Sequence, residues 1–140
     1  MVKLPIEYKL DHIGVAVKNL REGELPYLAM GFSKSRIEEV PSEKVRVQMF
    51  ELKNESRIEL LEPTDENSIV AKFLAKRGPG IHHICLRVND ITAALARLKE
   101  HELKLIHEKP VPGAHGCQVA FIHPSSVGGV LVELSQKGRG

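Results

Sequence analysis

The sequence predicts an α+β fold built from two βαβββ modules that form curved mixed sheets. The main observation is a repeat, since residues 10–20 (LDHIGVAVKNL) align without gaps with residues 81–91 (IHHICLRVNDI). Residues 57–63 (RIELLEP) likewise resemble residues 130–135 (VLVELS). Strand-like runs at residues 45–52 and 118–122 lie between these segments. Each half is therefore expected to contain one strand, a helix and about three further strands.

The helix predicted in each half follows its first strand directly. Asn19 and Asp90 end the aligned segments, and both residue types are suited to N-cap a helix. After Asp90, apolar residues recur with helical spacing at Ile91, Ala94, Leu95 and Leu98. In the first half Pro26 would interrupt a helix interior, so we expect that helix to begin as a turn and to end at Gly31.

A third helix is predicted between the modules. Ser68 is a suitable N-cap, and the sequence Gly78-Pro79-Gly80 is a typical helix stop. The length of 140 residues fits one domain. We therefore expect a single domain over residues 1–140, with modules at 9–64 and 80–136 and the connecting helix at 65–79.

Composition excludes several classes of protein. The net charge of +2 is too small for a nucleic-acid surface, and no apolar stretch approaches the ~20 residues that a membrane span needs. Cys85 and Cys117 lie in or beside apolar runs, which favours buried thiols in a reducing compartment. The start of the chain, MVKLPIEYKLDH, lacks the apolar core of a signal peptide. We expect a cytoplasmic protein that binds neither nucleic acid nor membrane.

The repeat also selects candidate metal ligands. If the two modules pack about a pseudo-twofold axis, residues at equivalent positions converge. Two imidazoles and two carboxylates suit a divalent metal of intermediate hardness such as Zn, Co, Ni, Mn or Fe. A single histidine or glutamate on a strand is more often structural, but repetition in both halves favours a shared site. The candidates are His12, Glu59, His83 and Glu133.

Only one of the adjacent histidines in GIHHICLRV is expected to bind the metal. Side chains alternate between the two faces of a strand, so His82 and His83 point in opposite directions. His83 aligns with His12, whereas Asp11 stands opposite His82. We therefore assign His83 as the ligand and expect His82 to pack or to form a hydrogen bond.

Four stretches of the chain resemble the methylmalonyl-CoA epimerase family of the vicinal oxygen chelate superfamily. They are LDHIGVAV, IELLEPT, IVAKFLAKRGPGIHHICLRV and GAHGCQVAFIHPSSVGGVLVEL, and the likeness runs from about residue 10 to residue 134. The resemblance implies paired βαβββ modules around a metal site. It also implies interconversion of (2R)- and (2S)-methylmalonyl-CoA, by α-proton abstraction and reprotonation through a metal-stabilised enolate. The ligand positions of the family fall on the four residues that the repeat selects.

The resemblance implies that Glu133 also serves as one acid/base, with Co, Zn, Mn, Ni or Mg as the divalent ion. Some members of the family carry a second catalytic glutamate in a strand that corresponds to residues 44–49, where this chain has Val47. Gln48 is adjacent but is expected on the opposite face of that strand. The second acid/base is therefore left unassigned.

Substrate contacts and assembly are predicted more coarsely. The loop at residues 111–117 contains His115 and Gly116, which are candidates to contact an acyl-CoA thioester, although a simple tight turn is the alternative. Cations for the CoA tail are available at Lys72, Lys76, Arg77 and Lys109. Exposed edge strands in small modules are often covered by another subunit, so we expect a homodimer.

Three alternative functions use the same fold. A glyoxalase I-type lactoylglutathione lyase uses the same metal positions, but its typical DPDGY-like turn is replaced here by HPSSVGG. An extradiol dioxygenase would use two histidines and one carboxylate on iron, and the presence of Glu59 counts against it. A non-catalytic small-molecule-binding protein often lacks part of the ligand set, whereas this chain has all four residues.

Overall fold

Strand pairing repeats along the chain as the sequence repeat predicts. The computed structural model describes residues 5–138, which form two compact units, one of residues 12–82 and one of residues 5–11 with 83–138. The predicted outer bounds of the domain, residues 1 and 140, lie outside the described residues. Within the described part of the chain, none of the helices has the length and apolar character that a membrane crossing requires.

The unit of residues 12–82 has the strand order β2-β3-β4-β1. Strand β1 pairs in parallel with β4, whereas β3 pairs antiparallel with both β4 and β2. Its elements are β1 (Tyr8–Ala16), α1 (Leu20–Gly23), α2 (Leu25–Ala29), β2 (Ile37–Val40), β3 (Val45–Glu51), β4 (Arg57–Pro63) and α3 (Ile69–Arg77).

The unit of residues 5–11 and 83–138 repeats this order as β5-β8-β7-β6. Strand β5 pairs in parallel with β8, and β7 pairs antiparallel with both β8 and β6. Its elements are β5 (Gly80–Val88), α4 (Ile91–Glu100), β6 (Val111–Pro112), β7 (Gln118–Ile122) and β8 (Leu131–Gln136). The predicted α+β fold of two βαβββ modules is therefore confirmed, although residues 111 and 112 form a short strand where a loop was expected.

The predicted caps and breaks of the helices are confirmed. The side chains of Asn19, Ser68 and Asp90 each accept a hydrogen bond from a backbone N–H in the first turn of the helix that follows. Pro26 lies in the first turn of α2, where its missing N–H removes no helical hydrogen bond. The helical segment of the first half is consequently divided into α1 and α2.

Alternation along the strands places an apolar core behind each sheet. In the second unit Ile91, Ala94 and Leu95 of α4 are buried against β7 and β8, as their helical spacing predicts. In the first unit both sheet faces are covered. Phe50 and Leu60 pack with Leu20 on one face, whereas a separate cluster on the other face contains Val70 of α3. Cys85 is buried as expected, but Cys117 is partly exposed because it follows the tip of the β6–β7 hairpin.

We predict that Asp90→Ala lowers the free energy of unfolding by about 1 kcal/mol, because the backbone N–H of Ala93 loses its side-chain acceptor. The measurement is urea denaturation followed by circular dichroism. Asp90→Asn is the matched control, since asparagine caps helices as well as aspartate does. Equal stability of Asp90→Ala and the parent would contradict the assignment of this cap.

Candidate functional site

In the unit of residues 12–82, His12 and Glu59 form a buried pair. In the parallel register of β1 and β4, His12 lies opposite Arg57 and Gly14 lies opposite Glu59. The two side chains therefore share one face of the sheet. His12 Nδ1 lies 3.5 Å from Glu59 Oε2, and each side chain is 11% exposed. The pair is close enough for both residues to hold one ligand and is still reachable from solvent.

Arg57 is a further member of this half of the site, and the sequence analysis missed it. Its Nε and Nη2 atoms both donate to Glu59 Oε2, at 3.2 and 2.9 Å. Arg57 precedes Glu59 by two residues on β4, so strand alternation places both on the same face. That spacing is the signal that could have identified it from the sequence.

In the other unit, His83 and Glu133 form the corresponding pair. Strand β5 carries His83 and strand β8 carries Glu133, which lies opposite Cys85 in the parallel register. His83 Nε2 lies 3.8 Å from Glu133 Oε1, and the side chains are 12% and 15% exposed. The structure thus forms each predicted His–Glu pair separately, one in each unit.

The donor atoms of the two pairs fit a divalent metal. Neutral imidazole and carboxylate are the ligands that Zn, Co, Mn and Ni accept in proteins. The carboxylate of each pair is little exposed, and a bound cation would add favourable charge beside it.

His82 packs rather than joining either pair, as predicted. Its ring lies edge-on against Phe73 of α3, with the ring centroids 5.2 Å apart and the planes at 84°. Burial lowers the pKa of His82 below the ordinary histidine value, so the neutral form is favoured.

Neither Val47 nor Gln48 provides the second acid/base. Val47 is buried in an apolar cluster with Leu61. Gln48 lies on the opposite sheet face, as expected, and its Nε2 donates to Glu24 Oε2 at 2.7 Å. This hydrogen bond lowers the pKa of Glu24, and Lys34 Nζ, 3.4 Å from the other carboxylate oxygen, acts in the same direction. Gln48 therefore belongs to a structural network away from the His12–Glu59 pair.

The candidate substrate residues lie at the tip of the β6–β7 hairpin. Gly113 N donates to Cys117 O at 2.8 Å and closes the turn. His115 and Gly116 within it are exposed and have positive φ angles of 58° and 73°. The candidate cations are also exposed, namely Lys72, Lys76, Arg77 and Lys109. The roles of these residues stay predictions.

Comparison with known proteins decides the family. The Glyoxalase/Bleomycin resistance protein/Dioxygenase superfamily matches residues 11–121. Ethylmalonyl-CoA/methylmalonyl-CoA epimerase of Cereibacter sphaeroides is 40% identical over 131 residues, which cover 91% of this chain and 97% of that protein. The chain belongs to the methylmalonyl-CoA epimerase family.

Solved structures of family members agree in fold with this chain. Methylmalonyl-CoA epimerase from Mycobacterium tuberculosis superposes with a TM-score of 0.81 at 35% identity, covering 93% of this chain and 88% of that one. A methylmalonyl-CoA epimerase in complex with methylmalonyl-CoA and NH4+ gives a TM-score of 0.79 at 34% identity, covering 92% and 94%. The predicted family, fold and epimerase class are thereby confirmed.

We predict that Gln48→Leu reduces stability at neutral pH and that the loss diminishes in acid. The Gln48 hydrogen bond lowers the pKa of Glu24 in the folded protein, so its contribution is present above the unfolded-state pKa and disappears as pH falls through the folded-state value. The urea midpoints of parent and variant should therefore converge as the pH falls below 4.5, the ordinary pKa of a glutamate. Glu24→Gln, which removes the titrating group, is the control. A gap between parent and Gln48→Leu that does not change with pH would contradict this role.

Proposed function

We propose that this protein is a metal-dependent epimerase that interconverts (2R)- and (2S)-methylmalonyl-CoA. The observation that carries the proposal is the presence, in a chain of this family, of a His–Glu pair with little exposure to solvent at matching positions of both sequence repeats. The proposal rests on these pairs and on family members that act on the same substrate. An acyl-CoA thioester is accordingly the substrate class.

His12, Glu59, His83 and Glu133 are the proposed metal ligands. Support comes from the donor types, from the short distance within each pair and from the repeat that relates the pairs. When bound, a divalent ion such as Co, Zn, Mn, Ni or Mg supplies a Lewis acid that stabilises negative charge developing on the substrate's oxygens.

Glu133 is the proposed acid/base on one face of the α-carbon. Its strand is anchored by the buried neighbours Val132 and Leu134, so the backbone beneath the carboxylate is rigid. The side chain itself is 15% exposed and can reach a bound molecule. Epimerisation also needs an acid/base on the other face, which is not assigned.

The remaining parts of the proposal concern binding and assembly. His115 and Gly116 are proposed to contact the thioester through the exposed hairpin tip, where positive φ angles turn successive peptide groups. The CoA tail is proposed to bind among the exposed cations of α3 and Lys109. We also propose a cytoplasmic homodimer, based on the exposed edge strands and on the absence of a disulfide among the described residues.

The test is α-proton exchange followed by proton NMR in D2O, with (2S)-methylmalonyl-CoA and cobalt-loaded protein. Loss of the α-proton signal well above the spontaneous rate is expected. Glu133→Gln should slow this loss by about 10²–10⁴-fold, because glutamine cannot accept the proton. Glu100→Gln, an exposed position at the end of α4, should exchange at the rate of the parent.

Absence of exchange by protein that has bound cobalt would contradict the epimerase function. The same sample would then be assayed with a glutathione hemithioacetal, the substrate of a glyoxalase I-type lyase. Tight binding of methylmalonyl-CoA without exchange would instead indicate a non-catalytic binding protein. A Glu133→Gln rate equal to that of the parent would exclude Glu133 as the acid/base.

A further inference from the structure

Arg57 is hydrogen-bonded to Glu59, one of the proposed metal ligands. Its Nε and Nη2 donate to the same oxygen of Glu59, Oε2, which also lies 3.5 Å from His12 Nδ1. In the register of β1 and β4, Arg57 stands directly opposite His12. The guanidinium, the imidazole and the carboxylate therefore occupy one face of one sheet. Arg57 is 22% exposed, so most of this contact is shielded from water.

Such a contact restricts a carboxylate that would otherwise turn freely. The terminal torsion of a glutamate side chain has a broad, roughly two-fold potential, so packing of the stem does not fix the plane of the oxygens. Charge-assisted hydrogen bonds from a planar guanidinium carry both energy and direction. With two of them on Oε2, Arg57 restricts where that oxygen of Glu59 can lie.

The positive charge of Arg57 and its contact with Glu59 have opposite expected effects on metal affinity. A guanidinium near a metal site repels a dipositive ion, which would weaken binding. Here, however, the Arg57 charge is compensated by Glu59 at 2.9 Å, so the pair together carries no net charge. Groups that hold a metal ligand in place typically change metal affinity by 10–100-fold when removed. Orientation is therefore expected to outweigh repulsion.

We propose that Arg57 is a positioning residue that holds the Glu59 carboxylate in its metal-binding orientation and thereby raises the metal affinity of the site. This inference rests on the proposed function, because it assumes that Glu59 is a metal ligand. It assigns Arg57 no contact with the metal or with the substrate. Its effect is transmitted through Glu59 alone.

The test is a Co2+ titration of metal-free full-length protein, followed by calorimetry and by the visible absorption of bound cobalt. Arg57→Met keeps the apolar stem but removes both donors, and it should raise the Kd for Co2+ by about 10–100-fold and alter the cobalt absorption bands. Arg57→Lys keeps the charge without the two-nitrogen fork and should restore part of the affinity. Circular dichroism checks that each variant is folded.

Arg46→Met is the matched control. Arg46 lies on the neighbouring strand β3 and also contacts carboxylates, with Nε 3.3 Å from Glu39 Oε1 and Nη1 3.3 Å from Glu62 Oε1. It points to the opposite sheet face, since it is opposite Glu62 rather than Glu59 in the register. Its replacement should leave the Kd and the spectrum unchanged. A loss of affinity equal to that of Arg57→Met would overturn the proposal.

A double-mutant cycle tests whether Arg57 acts through Glu59. In a Glu59→Gln background the carboxylate is absent, so adding Arg57→Met should cause little further change in Kd. The inference would be overturned if the two substitutions had fully additive effects on the free energy of Co2+ binding. It would also be overturned if Arg57→Met alone bound Co2+ more tightly than the parent. Failure of the parent protein to bind Co2+ would overturn the metal site and this inference with it. If Arg57→Met has the parent's Kd for Co2+ and the parent's rate of α-proton exchange, the role of Arg57 is overturned but the proposed function is not.

Discussion

The alternation of side chains along β4 and β8 is the constraint on which both His–Glu pairs depend. Glu59 lies between Ile58 and Leu60, and Leu60 is fully buried. Glu133 lies between Val132 and Leu134, which are buried in the core of their unit. Each glutamate is therefore carried by a strand whose neighbouring residues are fixed in close packing. A shift of one residue in register would move each glutamate to the opposite face of its sheet, among apolar core residues, so the fold and the site specify one another.

The parallel pairing of the first and last strand of each unit brings histidine and glutamate together. Residues about 50 positions apart become neighbours because β1 pairs with β4 and β5 pairs with β8. The strands that lie between these two in sequence have a different role. Strands β2, β3, β6 and β7 complete the sheet of each unit, and β3 and β7 contribute Val47 and Ile122 to buried clusters.

Much of this arrangement was predictable because it follows from periodic patterns. The repeat identified both modules, helical spacing identified α4, and cap residues placed the starts of the helices at Asn19, Ser68 and Asp90. What the sequence analysis missed depends on long-range pairing. The partner of Gln48 is Glu24, which lies between α1 and α2, 24 residues earlier, and no local pattern connects them. The strand of residues 111 and 112 is too short to show a period.

Arg57 was missed within the candidate site for a different reason. Its spacing of two residues from Glu59 places both side chains on one face of β4, but a strand arginine usually extends into water, so the hydrogen bonds themselves were not predicted. Its contact follows from the geometry of a long side chain on a packed sheet. By contrast, the choice of His83 over His82 needed only strand alternation and the repeat. In the structure His83 lies beside Glu133 and His82 packs on Phe73, and the role of His83 as a ligand stays a prediction.

The central claim is that the two His–Glu pairs serve a single metal ion. Anomalous X-ray diffraction from cobalt-soaked crystals of the full chain tests it most directly. The account predicts one cobalt ion per chain, with one atom each of His12, Glu59, His83 and Glu133 at about 2.0–2.3 Å from it. A cobalt ion bound by one pair alone, a separate ion at each pair, or cobalt bound only at other residues would contradict it.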